Sequence, residues 1–179
     1  MIIMKKDFKI TTERLTLEPL GLKHLETVHE YASDPLNTTY MLFLPNDTLE
    51  DTVGFLTSTD ALWEDDNNPN YECAILLEGL QIGTVSLYVE DGVAELGWIL
   101  NRKYWCNGYL TEAASALVKY AHENLGITHF IAHCDSENVG SYRVMEKVGM
   151  TFVSKTGGRR NKLTPEGEER FELLYELKF

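Results

Sequence analysis

Ala94-Glu95-Leu96-Gly97-Trp98-Ile99-Leu100, followed closely by Tyr104-Trp105-Cys106-Asn107-Gly108-Tyr109-Leu110-Thr111-Glu112-Ala113, is the stretch that decides the fold. Val93 to Leu100 reads as a strand, Asn101 to Gly108 as a turn, and the residues from about Tyr109 as an amphipathic helix. Leu110, Ala113, Ala114, Leu117, Val118, Ala121 and Leu125 recur at helical spacing, and Gly126 supplies the stop. A helix start offers unpaired backbone N–H groups and the positive end of the helix dipole. Gly108 at that start lets a pyrophosphate approach those amides, and Thr111 adds a hydroxyl in the first turn. Taken alone, Gly108 serves equally as a plain strand-to-helix turn, with Trp105 packed on the core.

Working outward, Arg14 to Glu18 alternates Leu15 and Leu17 with polar neighbours and reads as a first strand. Leu22, Leu25, Val28 and Ala32 mark a helix that Asp34-Pro35 closes. A second helix starts with Asp47 or Thr48 as its cap and carries Leu49, Val53, Leu56 and Trp63. Tyr71 to Leu77, Leu80 to Val89 and Val93 to Leu100 are joined by short turns, which implies an antiparallel meander. Beyond the central helix come a strand at His129 to Cys134 and a helix capped by Asn138 and ended by Gly149. Strands at Met150 to Lys155 and Arg170 to Lys178 follow, separated by a loop that opens with the Gly-rich basic run Thr156 to Lys162. The order gives a mixed sheet flanked by helices, an α+β class, with residues 1–179 forming one domain.

Composition narrows the classes. At 44% hydrophobic and 25% charged residues, the chain is that of an ordinary globular protein. It has no run of about 18 apolar residues, so no membrane span is expected, and Met1 to Lys6 does not read as a signal peptide. Cys73, Cys106 and Cys134 are widely spaced with no CxxC pair, which argues against a disulfide framework or zinc site and favours the cytoplasm. A formal charge of −12 disfavours nucleic acid as partner and suits a cationic acceptor, although acidity also serves plain solubility.

Together with Asn138-Val139-Gly140-Ser141-Tyr142-Arg143-Val144-Met145-Glu146-Lys147-Val148-Gly149-Met150, the two opening segments resemble the signature regions of the GNAT acetyltransferases. The similarity is greatest to the branch containing the ribosomal-protein N-terminal acetyltransferases, and it covers nearly the whole chain. It implies the GNAT (acyl-CoA N-acyltransferase) fold, acetyl-CoA as cosubstrate and no metal. It further implies direct acetyl transfer to a primary amine, either a protein N-terminus or a small amine. Gly108 matches the central Gly of the family loop, Trp105 stands at its first position, and Leu110 stands where a small residue is usual. By resemblance, the backbone at Trp98, Ile99 and Leu100 pairs with the pantetheine arm. The amides of Cys106, Asn107, Gly108, Tyr109, Leu110 and Thr111 receive the pyrophosphate. Asn138 touches the cofactor or orders a water, besides being an ordinary N-cap. Lys147 reaches the cofactor or stays in a surface ion pair.

Acetyl transfer from a thioester to an amine requires a base for the amine, stabilisation of the carbonyl oxygen, and a proton for the leaving thiolate. Glu95 is the candidate base, acting directly or through water; the alternative is an ordinary strand carboxylate. Met145 stands where many relatives carry a Tyr, so Ser141 or Tyr142 must serve as the acid. The resemblance favours Ser141, whose plain alternative is a helix serine bonded to a preceding carbonyl. His129 and His133 share a strand face roughly 13 Å apart, too far for one metal, while His24, His29 and His122 have no partner ligands in their helical patterns. Cys134 with His133 is a possible nucleophile pair, or Cys134 is a small core residue. A CoA-binding sensor without strong catalysis is the competing reading, and a nucleotide-binding α/β protein lacks its motifs. The final strand is expected at an exposed edge where a second chain can pair, leaving monomer and homodimer both open.

Overall fold

The computed structural model describes residues 5–179; the apolar start Met1 to Met4 lies outside the described residues. The first strand forms as a short hairpin, β1 (Ile10–Thr11) against β2 (Leu15–Pro19). Helix α1 (Leu25–Ala32) is entered through a single 3-10 turn, Leu22–His24. Asp34-Pro35 does end it, but the chain then starts another helix, α2 (Pro35–Thr38), which the sequence reading did not anticipate. The reason is local. Proline at a first helical position needs no N–H partner, and the Asp34 carboxylate accepts from the Leu36 N–H at 3.0 Å. Thr48, rather than Asp47, caps α3 (Leu49–Glu64). Its hydroxyl accepts from the Asp51 N–H at 3.2 Å while Asp51 accepts from the Thr48 N–H at 2.9 Å, a reciprocal box.

Strands β3 (Tyr71–Leu77), β4 (Leu80–Glu90) and β5 (Val93–Leu100) form the expected meander. They lead through a 3-10 turn into α4 (Tyr109–Leu125), then β6 (His129–Asp135), α5 (Val139–Val148), β7 (Thr151–Gly157) and β8 (Phe171–Lys178). The sheet runs β1-β2-β3-β4-β5-β6-β8-β7, with β5–β6 its parallel pair. The last strand is therefore not the edge. The crossover from β6 through α5 sets β7 down one position further out, and β8 returns to fill the slot, bonded to β6 on one side and β7 on the other. The exposed edge at this end is β7.

Alternation along the strands sends side chains to two cores. Ala113, Ala114, Leu117 and Ala121 of α4 press on Leu17, Cys73, Ile75, Val85, Leu87, Ala94, Leu96 and Phe130. Helices α1 and α3 cover the opposite face through Val28, Tyr31, Ala32 and Leu56 against Ala74, with Ile99 beside them. The unforeseen α2 is tied into this frame by buried Asn37, whose amide donates to the Leu100 carbonyl at 3.0 Å and accepts from the Arg102 N–H at 2.6 Å. The end of β5 is thereby fixed from both sides.

Where β4 meets that end the two backbones touch. A Cβ built on Gly83 lies 2.4 Å from the Ile99 carbonyl oxygen and 3.0 Å from the Leu100 Cα, neither of which can rotate away. Gly83→Ala is accordingly expected to destabilise the protein by about 1–3 kcal/mol. Thermal unfolding should show a lowered midpoint, and an unchanged midpoint would contradict this close approach.

Candidate active site

Strands β5 and β6 pair through Val93–His129, Ala94–Phe130, Glu95–Ile131 and Leu96–Ala132, and then part. Both continue: β5 stays bonded to β4 as far as Leu100, and β6 stays bonded to β8 as far as Asp135. From Gly97 onward the β6-facing edge of β5 has no strand partner, so a wedge opens in the sheet. Trp98, Ile99 and Leu100 lie along it. The Leu100 carbonyl already accepts from Asn37 and, at 2.9 Å, from the Trp105 indole N–H. Trp105 is thus neither a core residue nor a plain turn residue; it is half exposed and clips the turn to the strand.

At the mouth of the wedge stands the loop before α4. Gly108 adopts φ 78° and Cys106 φ 64°, both left-handed, and none of the N–H groups from Cys106 to Thr111 has a hydrogen-bond partner among the described residues. Six amides without partners around a helix start form a concavity suited to an anion such as a pyrophosphate. Asn107 turns its side chain back to the Tyr104 and Trp105 carbonyls, at 3.1 and 2.9 Å, and so braces the loop. Tyr109 and Leu110 are partly buried and pack their side chains against the core.

Arg14, which the sequence reading passed over, holds this loop from outside. Its Nη1 donates to the Asn107 carbonyl at 2.9 Å, its Nε pairs with Glu112 at 2.7 Å, and its guanidinium lies over the Tyr109 ring. Glu112 also accepts from the Thr12 hydroxyl and the Arg14 N–H. An arginine in the turn before β2 opposite a glutamate in the first turn of a distant helix carries no local signature. Only the packing of β2 against α4 brings them together.

Glu95 lies on the last rung but one before the strands part, on the face opposite buried Ala94 and Leu96. His133, the first β6 residue past the paired region, sets its Nδ1 2.7 Å from the Glu95 carboxylate. That contact with His133 holds the Glu95 carboxyl below its ordinary range, with burial opposing, and the same contact with Glu95 raises the His133 imidazole above its own. The chain of charge continues. His133 Nε2 is 4.0 Å from Glu172 on β8, Glu172 pairs with Arg159 at 2.6 Å, and Arg159 Nη2 donates to the Tyr40 carbonyl at 3.2 Å. Asn161 and Lys162 fasten the same β7–β8 loop to Met41 and Asp47, at 2.6 and 2.9 Å. The basic loop and the segment after α2 are thus latched together beside the Glu95–His133 pair.

The other side of the wedge carries Ser141. Its hydroxyl accepts from the Trp98 indole N–H at 3.1 Å, so it reaches across to β5 instead of folding back on its helix. Tyr142 packs against the core and Met145 is buried in it. Asn138 caps α5, accepting from the Ser141 N–H at 3.2 Å. Lys147 is exposed, about 9 Å along the helix axis from Ser141, and joins none of these groups. The Cys134–His133 nucleophile pair is not assembled: Cys134 is buried, its thiol is pushed up to about 11 by burial, and the His133 nitrogens face Glu95 and Glu172. His129 likewise has its own carboxylate, Glu176 at 3.1 Å. Among the described residues no cluster of three or more His, Cys, Asp or Glu is arranged to hold a metal ion, and no helix is long and apolar enough to cross a membrane.

A strand edge without a strand partner at Trp98 to Leu100, beside a helix start rich in free amides, is the layout that the resemblance to the GNAT acetyltransferases implied. Comparison with known proteins agrees. The family model for the acetyltransferase (GNAT) domain matches residues 14–151. The uncharacterized N-acetyltransferase YnaD of Bacillus subtilis (strain 168) is 32% identical over 170 residues, covering 93% of this chain and 94% of that protein. The crystal structure of a GNAT-family acetyltransferase from Bacillus anthracis superposes with a TM-score of 0.76 at 32% identity, over 96% of this chain and 98% of that one. RimL, a ribosomal L7/L12 alpha-N-protein acetyltransferase solved in complex with coenzyme A, shares the fold at a TM-score of 0.79 and 16% identity, over 96% and 98% of the two chains. The chain belongs to the GNAT family and is an N-acetyltransferase.

The role given to Arg14 is open to a direct check. Arg14→Ala removes a clip from the loop that carries the free amides, and coenzyme A affinity measured by calorimetry should fall about tenfold, the worth of one charge-assisted bond. Unchanged affinity would show that the loop holds its shape without it.

Proposed function

We propose that the protein transfers the acetyl group of acetyl-CoA to a primary amine by direct attack within the wedge between β5 and β6. The observation that carries this reading is the convergence of three features on that wedge. These are the partnerless amides at Cys106 to Thr111, the Glu95–His133 pair on one side, and the Ser141 hydroxyl on the other. The amides of Cys106, Asn107, Gly108, Tyr109, Leu110 and Thr111 receive the pyrophosphate, and the β5 backbone at Trp98, Ile99 and Leu100 runs beside the pantetheine. When bound, acetyl-CoA supplies an activated acyl carbon and a thiolate leaving group. Glu95, ion-paired and facing the cleft, serves in removing the amine proton, and Ser141 gives a proton to the departing sulfur.

Trp105 and Asn138 act through geometry, one fixing the end of β5 and the other the start of α5. Lys147 gains no support from its surroundings for a cofactor contact. The acceptor enters beside the latched loops of a protein whose formal net charge is −12. That charge attracts an amine-bearing substrate, whether a protein N-terminus, as for the alpha-N-protein acetyltransferase RimL, or a small amine.

Thiol release from acetyl-CoA, followed with a panel of peptides and small amines, tests the activity. Acceptor-dependent thiol is expected. Tight coenzyme binding with no such thiol would instead favour a sensor. Ser141→Ala is expected to lower kcat by about 10²-fold while leaving coenzyme A affinity within twofold. A kcat equal to that of the unaltered protein would remove Ser141 from the mechanism.

A further inference from the structure

We infer that Glu95 and His133 act as one proton-accepting unit, in which the proton taken from the acceptor amine comes to rest on His133. This deepens the reading above and rests on it. The Nδ1–Oε1 separation of 2.7 Å is that of a full charge-assisted hydrogen bond, made at the point where β5 and β6 part. Both side chains reach the opening: the Glu95 side chain is 50% exposed and that of His133 27%. With Nδ1 held by Glu95, Nε2 is the free nitrogen, and it lies 4.0 Å from Glu172. The ionisable groups that face the imidazole are therefore Glu95 on β5, Glu172 on β8 and Arg159 from the β7–β8 loop. The two carboxylates favour the imidazolium, and Arg159 opposes it.

A carboxylate held in such a pair is a poor final home for a proton, because the same contact that depresses Glu95 raises His133. Whichever atom first receives the proton, it ends on the imidazole, with Glu95 anionic and compensating the charge. The step balances. The ammonium of the acceptor gives one proton to the unit, and the nitrogen lone pair then attacks the acyl carbon. The C–N bond forms, the C–S bond breaks, and the second nitrogen proton leaves with the sulfur as thiol. His133 later gives its proton to water.

The sign of the pH dependence follows. The unit accepts a proton only when His133 is neutral, so kcat rises with pH through a midpoint above the 6.5 ordinary for histidine. Profiles are measured at saturating substrates with two acceptors of different amine pKa, so that a limb owned by the enzyme stays in place when the acceptor changes. In His133→Gln the near-neutral limb should vanish, leaving a flat profile above about pH 6 and kcat reduced 10- to 100-fold. In Glu95→Gln the limb should persist but move to lower pH, because the contact that raises His133 is gone. His133→Asn, with melting temperatures for all variants, guards against an effect of misfolding. Imidazole signals followed by NMR give a reading independent of turnover: His133 should titrate above 6.5 in the unaltered protein and lower in Glu95→Gln. A His133→Gln protein with the kcat profile of the unaltered one, or a His133 that titrates at or below 6.5, would overturn the inference while leaving the acetyltransferase reading intact. An unaltered protein that releases no thiol with any amine would defeat both.

Discussion

Between Gly97 and Leu100, β5 is bonded along one edge only, and much of the molecule is arranged around that half-used edge. Backbone N–H and C=O groups left without partners are costly when buried, so such an edge persists only where water or a ligand reaches it. The protein keeps the gap open by tying each strand firmly on its far side. β4 runs beside β5 through the close approach at Gly83, while β8 runs beside β6 over its whole length. Asn37 and Trp105 then fix the end of β5 from outside the sheet, through the Leu100 carbonyl.

The charges beside the wedge follow a related logic. Along Glu95, His133, Glu172 and Arg159 acidic and basic groups alternate, each within 4.0 Å of the next. The chain ends on the Tyr40 carbonyl, which couples the ionic row to the segment after α2. Two strands further along the sheet, Glu72 is buried with the Tyr88 hydroxyl as its partner, and burial raises its carboxyl to about 7. Tyr88 lies directly across the β4–β5 ladder from Glu95. The exposed, ion-paired Glu95 and the sheltered Glu72 are thus pushed in opposite directions by their surroundings, which explains why two glutamates on strands either side of β4 differ so much in acidity.

At the mouth of the wedge, the left-handed turn at Cys106 and Gly108 leaves six amides free, and Arg14 and Glu112 hold it in place. The clip joins the turn before β2 to the first turn of α4 and so stiffens the loop.

Most of the element list was legible in the sequence, because helix caps, apolar periods and turns depend on residues a few positions apart. Thr48, Asn138, Gly108 and Gly126 each mark a boundary that the structure keeps. The resemblance of three short segments to one enzyme family singled out Glu95, Ser141 and the backbone from Trp98 to Leu100 as candidates from the sequence alone. What the sequence could not convey are contacts set by register and packing. The placing of β8 inside the sheet, the reach of Arg14 to a loop 93 residues away, and the pairing of Glu95 with a histidine 38 residues on all depend on which strands lie side by side. Local periodicity settles which face a side chain takes. Only the tertiary structure decides what meets it there, and at this site that is His133.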